Sequence, residues 1–504
     1  MSALLQLLWN AVDAKTVTIL FTVWWVTQWL IWKGYIFAKG RVAPGIYGVP
    51  FFGIALYFLL SRKTALEKIQ AYARTYGPVF RARVGMRTVT MVVGTKAVRE
   101  AMLSDALLGR QPQNFDDEEL SEAFKVPSLI TLEGDLWKKH RRFALTTLKD
   151  LGFGKTPIME QCLQEELRDL IAQIETEQGR PFNVQDLLVA STSNNIASLV
   201  FGERLSYDHP KRQELNSLLT AFNNETRIFI AIAFIPKLLK ILYKLNIGIG
   251  AKLTNVIRRF RKLVENDVFD HRKNIDKNNP RDFIDYYLLE QEKDADFTDA
   301  LLSGNAMGLF QAGSITVRVT LEYLLHLMAN RPEVQCRVQA EIDEVTGRSR
   351  EVTWADSRNM IYTMAVIAER HRYVTVAPFG VSRRTLHATA LCGYDIGPHE
   401  GVLLDIESVH YDPENFQDPY EFRPERFIGN GKLINTEKVW AFSIGKRACP
   451  GESLAVLEVF LYFANLLQHF TIASEQPGKN VKIRPPRSIF PDVIPQKLRF
   501  IKRE

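Results

Sequence analysis

Apolar segments divide the chain into an N-terminal helix, a small β region and a helical remainder. Thr16–Trp32 is apolar apart from its threonines and Gln28, and Glu452–Phe470 is apolar on nearly every side. A helix that is apolar all round is buried in protein or in lipid. The periodicity also predicts a short helix over Ala65–Tyr76 and a long one over Phe297–Asn330.

Residues 79–85 (VFRARVG) and 88–94 (TVTMVVG) alternate or are β-branched, and both end in glycine. This pattern predicts a hairpin ahead of the helical bulk. Residues 377–384 (APFGVSRR) predict one more strand. Helical patterns cover the basic segment Asp135–Leu148 and most of Glu165–Leu289. The predicted fold class is mainly α with a minor β region.

The apolar N-terminal segment is long enough to cross a bilayer, which requires about 20 residues and at least about 17. It contains four tryptophans, which favour membrane interfaces, and basic residues follow it at Lys33, Lys39 and Arg41. We therefore expect a single-pass membrane protein whose body faces the cytosol. A cleaved signal peptide is the alternative, but no small-residue cleavage site follows. The predicted segments are a short lumenal N-terminus (1–15), a transmembrane anchor (16–36), a basic, Pro- and Gly-containing hinge (37–53) and the catalytic domain (54–504).

A second apolar segment, Ile228–Leu242, is interrupted by Pro236 and carries lysines toward its end. It is too short to span a membrane. Contact with the bilayer surface near a substrate entrance and burial in the core are the two interpretations.

The composition narrows the class of partner. The net charge is +7, which suggests an acidic partner or an anionic membrane surface. No nucleic-acid-binding motif accompanies this charge, so we expect no nucleic acid partner. Four cysteines without paired spacing argue against a disulfide framework or a zinc site.

One cysteine has a distinctive setting. Residues 442–451 read FSIGKRACPG, and they place Cys449 immediately before the predicted helix that starts near Glu452. The positive end of a helix dipole lowers a thiol pKa and favours the thiolate, which suits a metal. A buried, inert cysteine is the alternative, and we prefer it for Cys162, Cys336 and Cys392.

The spacing Phe442-x-x-Gly445-x-Arg447-x-Cys449-Pro450-Gly451 resembles the haem-binding signature of the cytochrome P450 family. The resemblance implies that Cys449 is the axial thiolate ligand of the iron of haem b, and that Arg447 pairs with a haem carboxylate. Gly445 would allow the loop to turn, and Gly451 would allow the backbone to approach the haem.

The middle of the long helix reads Gln-Ala-Gly-Ser-Ile-Thr-Val from residue 311. The family has Ala/Gly-Gly-x-acid-Thr here, so Ala312, Gly313 and Thr316 resemble the segment that makes room for O2. Thr316 would then assist protonation of the bound oxygen. Ile315, however, replaces the acid. Either Ser314, Thr316 and ordered water deliver protons, or the enzyme rearranges a peroxide without activating O2.

The resemblance also assigns residues that hold the haem and its surroundings. Trp137 and Arg141 match a Trp-x-x-x-Arg pair that binds a haem propionate, and Arg110 is a further candidate contact. Phe379 stands where related proteins often place a propionate-binding histidine. A structural triad is predicted from the family's Glu-x-x-Arg and downstream arginine motifs: Glu369, Arg372 and Arg426.

The chain has no GxGxxG dinucleotide fingerprint, so electrons must come from outside. The resemblance implies NADPH–cytochrome P450 reductase as the donor, with cytochrome b5 as an optional second donor. The candidate docking residues are Lys138, Lys139 and Lys446, although a solvated helix face explains the first two equally well.

The predicted function is a haem-thiolate monooxygenase of the endoplasmic reticulum membrane. It would insert one oxygen atom from O2 into an apolar small molecule: a steroid, fatty acid, terpenoid or foreign compound. An isomerase or dehydratase of lipid peroxides, motivated by Ile315, is the alternative. A non-enzymatic haem-binding protein is the third interpretation.

Overall fold

The computed structural model describes residues 14–38, 41–46, 48, 52–54, 65–85, 87–110, 124, 126–152, 157–233, 236–483 and 493–504. Fifteen α-helices lie within these residues. They are α1 (Ala14–Ala38), α2 (Ala65–Tyr76), α3 (Thr95–Leu103), α4 (Gly134–Asp150), α5 (Pro157–Thr176), α6 (Gln185–Phe201), α7 (Pro210–Ala233), α8 (Pro236–Lys244), α9 (Gly248–Asn274), α10 (Phe283–Gln291), α11 (Asp299–Asn330), α12 (Pro332–Thr346), α13 (Ile361–Tyr373), α14 (Ile406–His410) and α15 (Glu452–His469).

Twelve short strands accompany the helices in the described part of the chain. They are β1 (Gly45–Ile46), β2 (Val79–Val84), β3 (Arg87–Val93), β4 (Gly109–Arg110), β5 (Arg383–Arg384), β6 (Thr389–Leu391), β7 (Tyr394–Ile396), β8 (Gly401–Asp405), β9 (Ile428–Gly429), β10 (Lys432–Leu433), β11 (Phe470–Ser474) and β12 (Leu498–Lys502). Strands β2 and β3 form the predicted antiparallel hairpin, with Val79 opposite Val92.

The largest sheet has the order β1-β2-β3-β8-β5-β4. The sequence predicted a sheet that precedes the helical bulk, but this sheet is completed by β5 and β8 from the C-terminal third. The predicted strand over residues 377–384 is reduced to Arg383–Arg384, which pairs with both β4 and β8. Gly380, with a φ of +55°, lies within the turn that replaces its first part.

The main core surrounds two helices that the sequence predicted. Helix α11 is buried over most of its length, and so is α15. One continuous apolar cluster contains residues of both, together with residues of α5, α6 and α9. Apolar residues all round a helix therefore mark burial within protein in the case of α15.

The N-terminal segment forms the helix α1, whose described apolar side chains are exposed; Ile19 is 60% exposed and Leu20 is 61% exposed. Across the described residues, no helix combines the length and the apolar content that a membrane crossing requires. The predicted transmembrane anchor is therefore not confirmed. Residues 1–13, which hold most of the predicted lumenal segment, lie outside the described residues.

The predicted hinge is partly a component of the folded body. Ala43 is fully buried in an apolar cluster, Gly45 pairs with Arg81 in the main sheet, and Gly53 bridges Val84. The folded body thus begins ahead of the predicted boundary at residue 54. The apolar segment at residues 228–242 is split between the end of α7 and α8, and its side chains up to residue 237 lie outside the described part.

Candidate functional site

The loop before α15 is held by its own backbone. The N–H of Cys449 donates to the carbonyl of Phe442 at 2.8 Å, and the N–H of Ala448 donates to the carbonyl of Gly445 at 3.0 Å. Gly445 has a φ of +78°, and a Cβ there would lie 2.8 Å from the carbonyl oxygen of Met102. Glycine is therefore required at this turn both for its conformation and for its lack of a side chain.

Cys449 lies at the N-terminus of α15, as the sequence predicted, and is exposed. The protein packed around its thiol raises its pKa by desolvation, although the backbone N–H groups of Gly451 and Glu452 and the Arg141 guanidinium act in the opposite direction. The N–H groups at the helix terminus thus act on the pKa in the predicted direction, but desolvation outweighs them and the net direction for the protein alone is upward. The two backbone N–H donors and the Arg141 guanidinium nevertheless provide the environment that a thiolate ligand needs.

Arg447 and Arg141 both lie against the ring of Trp137. The guanidinium of Arg447 stacks 3.7 Å from the centre of the indole ring and donates to the carbonyls of Leu108 and Leu132. Arg141 lies 5.7 Å from the same ring and donates to the carbonyl of Ala448 at 2.7 Å. The structure therefore brings these three predicted haem-binding residues together beside Cys449.

Two further arginines join this group from adjacent strands. Arg110 on β4 lies directly opposite Arg383 on β5. Burial, followed by the charges of Arg383 and Arg141, lowers the pKa of Arg110 to about 9, and burial together with these three arginines lowers the pKa of Arg447 to about 8. Glu133 lies beside the cluster, but it accepts hydrogen bonds from Arg384 and from the Arg110 backbone. Among the described residues, the one carboxylate beside the cluster does not balance the positive charge of the four guanidiniums.

Sequence reasoning missed Arg383. The sequence predicted a strand over residues 377–384, but only the pairing of β5 with β4 shows which of its side chains lies beside Arg110. Phe379 packs instead with the apolar cluster around Ile69 and Phe80. Its position in that cluster explains why it contributes no polar group near Arg447. The two consecutive arginines that end this segment, Arg383 and Arg384, were the sequence feature that could have indicated an anion-binding side chain.

These residues fit a flat ligand that carries two carboxylates and a metal. Four guanidiniums with lowered pKa values are stabilised by anions, and the buried Nε of Arg110 has no hydrogen-bond partner within the described residues. A thiol facing two backbone N–H groups supplies the metal ligand. Haem b meets all of these requirements.

Ala312 and Thr316 are exposed although most of α11 is buried, so this face of the helix is open; we call the open space beside it the cleft. The Thr316 hydroxyl donates to the carbonyl of Ala312 at 2.8 Å. Because its proton is engaged in this way, its oxygen is left to accept hydrogen bonds from the cleft.

The neighbours of Thr316 at residues 313–315 are less exposed than Thr316 itself. Ser314 is fully buried and its hydroxyl donates to the carbonyl of Phe310 at 2.6 Å, so the expected contribution of Ser314 to proton delivery lacks a geometric basis. A Cβ on Gly313 would lie 2.6 Å from the Cδ1 of Ile196. The missing side chain of Gly313 thus admits the Ile196 side chain of α6, and its predicted role in making room for O2 stays a prediction. Ile315 packs in apolar clusters.

Glu369, Arg372 and Arg426 are brought together at the end of α13. The fully buried pair Glu369–Arg372 is bidentate, at 2.7 and 2.8 Å, and Arg426 lies 3.3 Å from the same carboxylate. Arg372 also donates to the carbonyls of His410, Pro419 and Glu421. These bonds fix the segment that precedes the Cys449 loop.

The candidate docking lysines are already paired with aspartates. Lys138 lies 2.7 Å from Asp135, Lys446 lies 2.7 Å from Asp105, and Lys139 contacts Asp294 and Asp296. Lys138 and Lys446 border one open groove of about 570 Å³, whereas Lys139 does not line it. The full lining is Trp137, Lys138, Arg141, Arg142, Leu145, Thr146, Gly445 and Lys446.

Comparison with known proteins identifies the family of the chain. The family model for cytochrome P450 matches residues 43–497. Cytochrome P450 2B4 of Oryctolagus cuniculus is 34% identical over 490 residues, which cover 94% of this chain and 96% of that protein. Cytochrome P450 2J5 of Mus musculus is 32% identical over 498 residues, which cover 96% of this chain and 95% of the relative. The chain therefore belongs to the cytochrome P450 family.

Proposed function

We propose that this protein is a haem-thiolate monooxygenase that inserts one atom of O2 into an apolar small molecule, using electrons from an NADPH-dependent flavoprotein reductase. The observation that carries the proposal is the position of Cys449, at a helix N-terminus and beside a cluster of four arginines, two of which lie against the ring of Trp137. This arrangement matches the donor set and the charge that haem b requires.

In this proposal Cys449 would supply the thiolate ligand of the haem iron, and Arg110, Arg141, Arg383 and Arg447 would bind the haem carboxylates. Trp137 lies against two of these arginines, Arg141 and Arg447. When bound, the haem supplies O2 activation, and a thiolate ligand favours cleavage of the O–O bond. Phe442, Gly445 and Gly451 shape the loop that presents the thiol. Glu369, Arg372 and Arg426 hold the adjacent segment in place.

On the substrate side, Thr316 presents a hydrogen-bond acceptor to the cleft, since its hydroxyl proton is donated to Ala312. Ile315 offers no acid, and Ser314 points away from the cleft. Thr316 and ordered water are therefore the groups of this segment that would hold and move protons. We keep Gly313 as a packing residue and Ala312 as part of the cleft wall.

The proposed substrates are apolar: steroids, fatty acids, terpenoids or foreign compounds. We propose NADPH–cytochrome P450 reductase as the electron donor, with cytochrome b5 as an optional second donor. The groove bordered by Lys138 and Lys446 is the proposed docking surface. Because exposed ion pairs contribute little, an acidic partner could replace Asp135 and Asp105 as the partners of these lysines.

We further propose attachment to the endoplasmic reticulum membrane through α1, as a single-pass anchor with the catalytic body in the cytosol. The exposed apolar side chains of this helix support the proposal. The test is alkaline extraction of microsomes that contain the full chain or a variant lacking residues 1–38. Retention of the full chain alone would support the anchor, and release of both would reject it.

The decisive experiment reconstitutes the full chain with reductase in membranes and supplies labelled O2, with and without NADPH. The screened compounds are lipids, terpenoids, drugs and lipid peroxides. A product that requires NADPH and carries one labelled oxygen atom is expected. Conversion of peroxides without NADPH and without label would instead establish the rearrangement enzyme, for which the absence of an acid at Ile315 is the motivation. Haem binding without any turnover would favour the non-enzymatic alternative.

A further inference from the structure

Arg370, on α13, is fully buried. No carboxylate within the described residues forms an ion pair with it, because the adjacent Glu369 binds Arg372 and Arg426 instead. Burying a charge without a counter-charge costs free energy unless hydrogen bonds compensate. The compensating contacts of Arg370 therefore indicate what this residue does.

Apart from a contact of 3.4 Å with the ring Nδ1 of the adjacent His371, those contacts lie on α11. One terminal nitrogen of Arg370 donates to the hydroxyl of Thr320 at 3.0 Å, and the other donates to the carbonyl of Val319 at 3.1 Å. The guanidinium also lies 5.6 Å from the centre of the Tyr323 ring. A fork with two donors fixes both the distance and the rotation of the helix that it contacts.

Thr320 is hydrogen-bonded to the backbone of Thr316, whose side chain faces the cleft. The Thr320 hydroxyl, which accepts a hydrogen bond from Arg370, donates to the carbonyl of Thr316 at 2.8 Å. Thr316 in turn donates to the carbonyl of Ala312 at 2.8 Å. A hydroxyl that accepts from a cation becomes a stronger donor, since linked hydrogen bonds polarise one another. Arg370 thus acts on the helical turn that carries Thr316.

The same turn of α13 also contacts the thiol loop. The ring of His371 lies 5.4 Å from the ring of Phe442, whose carbonyl accepts the N–H of Cys449 at 2.8 Å. The consecutive residues Arg370 and His371 therefore contact the two segments that carry Thr316 and Cys449.

We propose that Arg370 is a positioning residue that fixes the Thr316 turn of α11 through the Thr320 hydroxyl. The effect of Arg370 on catalysis rests on the proposed function. Its effect on the stability of the Thr316 turn does not depend on that function. Without the contact, the Thr316 turn would open more often, and the orientation of the Thr316 hydroxyl toward the cleft would be less fixed.

The structural test is hydrogen exchange of the holoenzyme, followed in peptides that cover residues 312–323. Thr320→Val and Arg370→Met are expected to exchange about tenfold faster there, which corresponds to about 1.4 kcal/mol. Thr320→Ser should exchange as the wild type does, because it restores the hydroxyl. Arg370→Lys should be intermediate.

Thr346→Val is the matched control, because Thr346 is also a buried helical threonine that donates to the carbonyl four residues earlier. It lies on α12 and should leave the peptides over residues 312–323 unchanged. Unaltered exchange in Thr320→Val, or equal acceleration in Thr346→Val, would overturn the proposal. Should Arg370→Met fail to fold, comparison of Thr320→Val with Thr320→Ser still tests whether the Thr320 hydroxyl fixes the Thr316 turn.

The catalytic readout is the ratio of hydrogen peroxide released to labelled product formed. Thr320→Val should raise this ratio about fivefold with little change in KM, and Thr320→Ser should restore it. An unchanged ratio in a catalytically active Thr320→Val enzyme would contradict the positioning role. If the wild type forms no labelled product, the proposed function fails, while the exchange measurement still decides whether Arg370 fixes this turn.

Discussion

Cys449 and Arg447 lie two residues apart but have different environments. Arg447 is 7% exposed and is held by two backbone carbonyls and the Trp137 ring, whereas Cys449 is exposed. One side chain therefore anchors the loop, and the other remains available to a ligand.

Replacing Cys449 with Ala should abolish the thiolate-type absorption of the reduced carbon monoxide complex, because no other residue of the loop 442–451 carries a thiol. The measurement is a reduced-difference spectrum of the purified protein. Cys336→Ala is the matched control, since Cys336 is an exposed cysteine on α12, and it should leave the spectrum intact. A thiolate-type spectrum in Cys449→Ala would show that another residue binds the iron.

Replacing Thr316 with Ala should raise the ratio of released peroxide to product about fivefold, as expected for the loss of one hydrogen bond worth about 1 kcal/mol. Thr316→Ser keeps the hydroxyl and should behave as the wild type does. The measurement is NADPH consumption alongside peroxide and product. An equal ratio in Thr316→Ala and wild type would exclude a role for this hydroxyl in proton handling.

At the scale of elements, the close packing of α6 against α11 fixes the part of α11 that precedes Thr316. Gly313 faces Ile196, and the carbonyl of Ser314 accepts a hydrogen bond from Thr192 at 3.2 Å. Helix α6 therefore packs against α11 at the turn that carries Gly313 and Ser314. The two helices can approach this closely only because residue 313 has no side chain.

Gly313→Ala should lower the free energy of unfolding by about 1–3 kcal/mol, the usual range for overpacking a core. In an Ile196→Ala background the clash is removed, and Gly313→Ala should become stabilising by up to about 1 kcal/mol through helix propensity. Denaturant unfolding of the four proteins measures this coupling.

Gly308→Ala is the control for this pair, since a Cβ there would lie 3.6 Å from Ile130, an ordinary contact distance. We expect it to be neutral or slightly stabilising. Additive effects of Gly313→Ala and Ile196→Ala would contradict the packing explanation.

At the scale of the whole molecule, a buried polar group links α6 to α15. Glu458 is fully buried and accepts a hydrogen bond from Asn195 at 2.7 Å, and Asn195 also donates to the Tyr462 hydroxyl. Burial raises the pKa of Glu458 to about 8. The carboxyl is therefore protonated in the folded protein at neutral pH, whereas it is ionised in the unfolded chain.

This difference makes stability depend on pH with a defined sign. Between the unfolded pKa of about 4.5 and the folded pKa of about 8, the folded state binds one more proton, so stability falls as pH rises. The contribution is complete below the unfolded pKa and falls by about 1.4 kcal/mol per pH unit across this window.

Glu458→Gln should remove this contribution, because the amide keeps its shape but does not titrate. The measurement is the urea unfolding free energy of wild type and variant from pH 5 to pH 8. Asp405, whose pKa burial raises to about 7, should retain its own slope in the variant. Identical slopes in the two proteins would show that Glu458 does not titrate as described.

The sequence by itself determined the elements whose pattern is local. The hairpin β2–β3 and the helices α2, α4, α11 and α15 follow from periodicity, which depends on near neighbours in the chain. The loop around Cys449 was also predictable, since its spacing within ten residues carries the resemblance to the family. The grouping of Trp137 with Arg141 required only that four residues make about one helical turn.

Only the tertiary structure decided what depends on distant segments. The pairing of β4 with β5 placed Arg383 beside Arg110, and the approach of α6 gave Gly313 its packing role and buried Ser314. No local pattern contains this information, because long-range packing selects which face of a helix or strand meets the site. Arg370 is the clearest case: a charged residue next to a family motif acquires its role solely from the helix that it contacts.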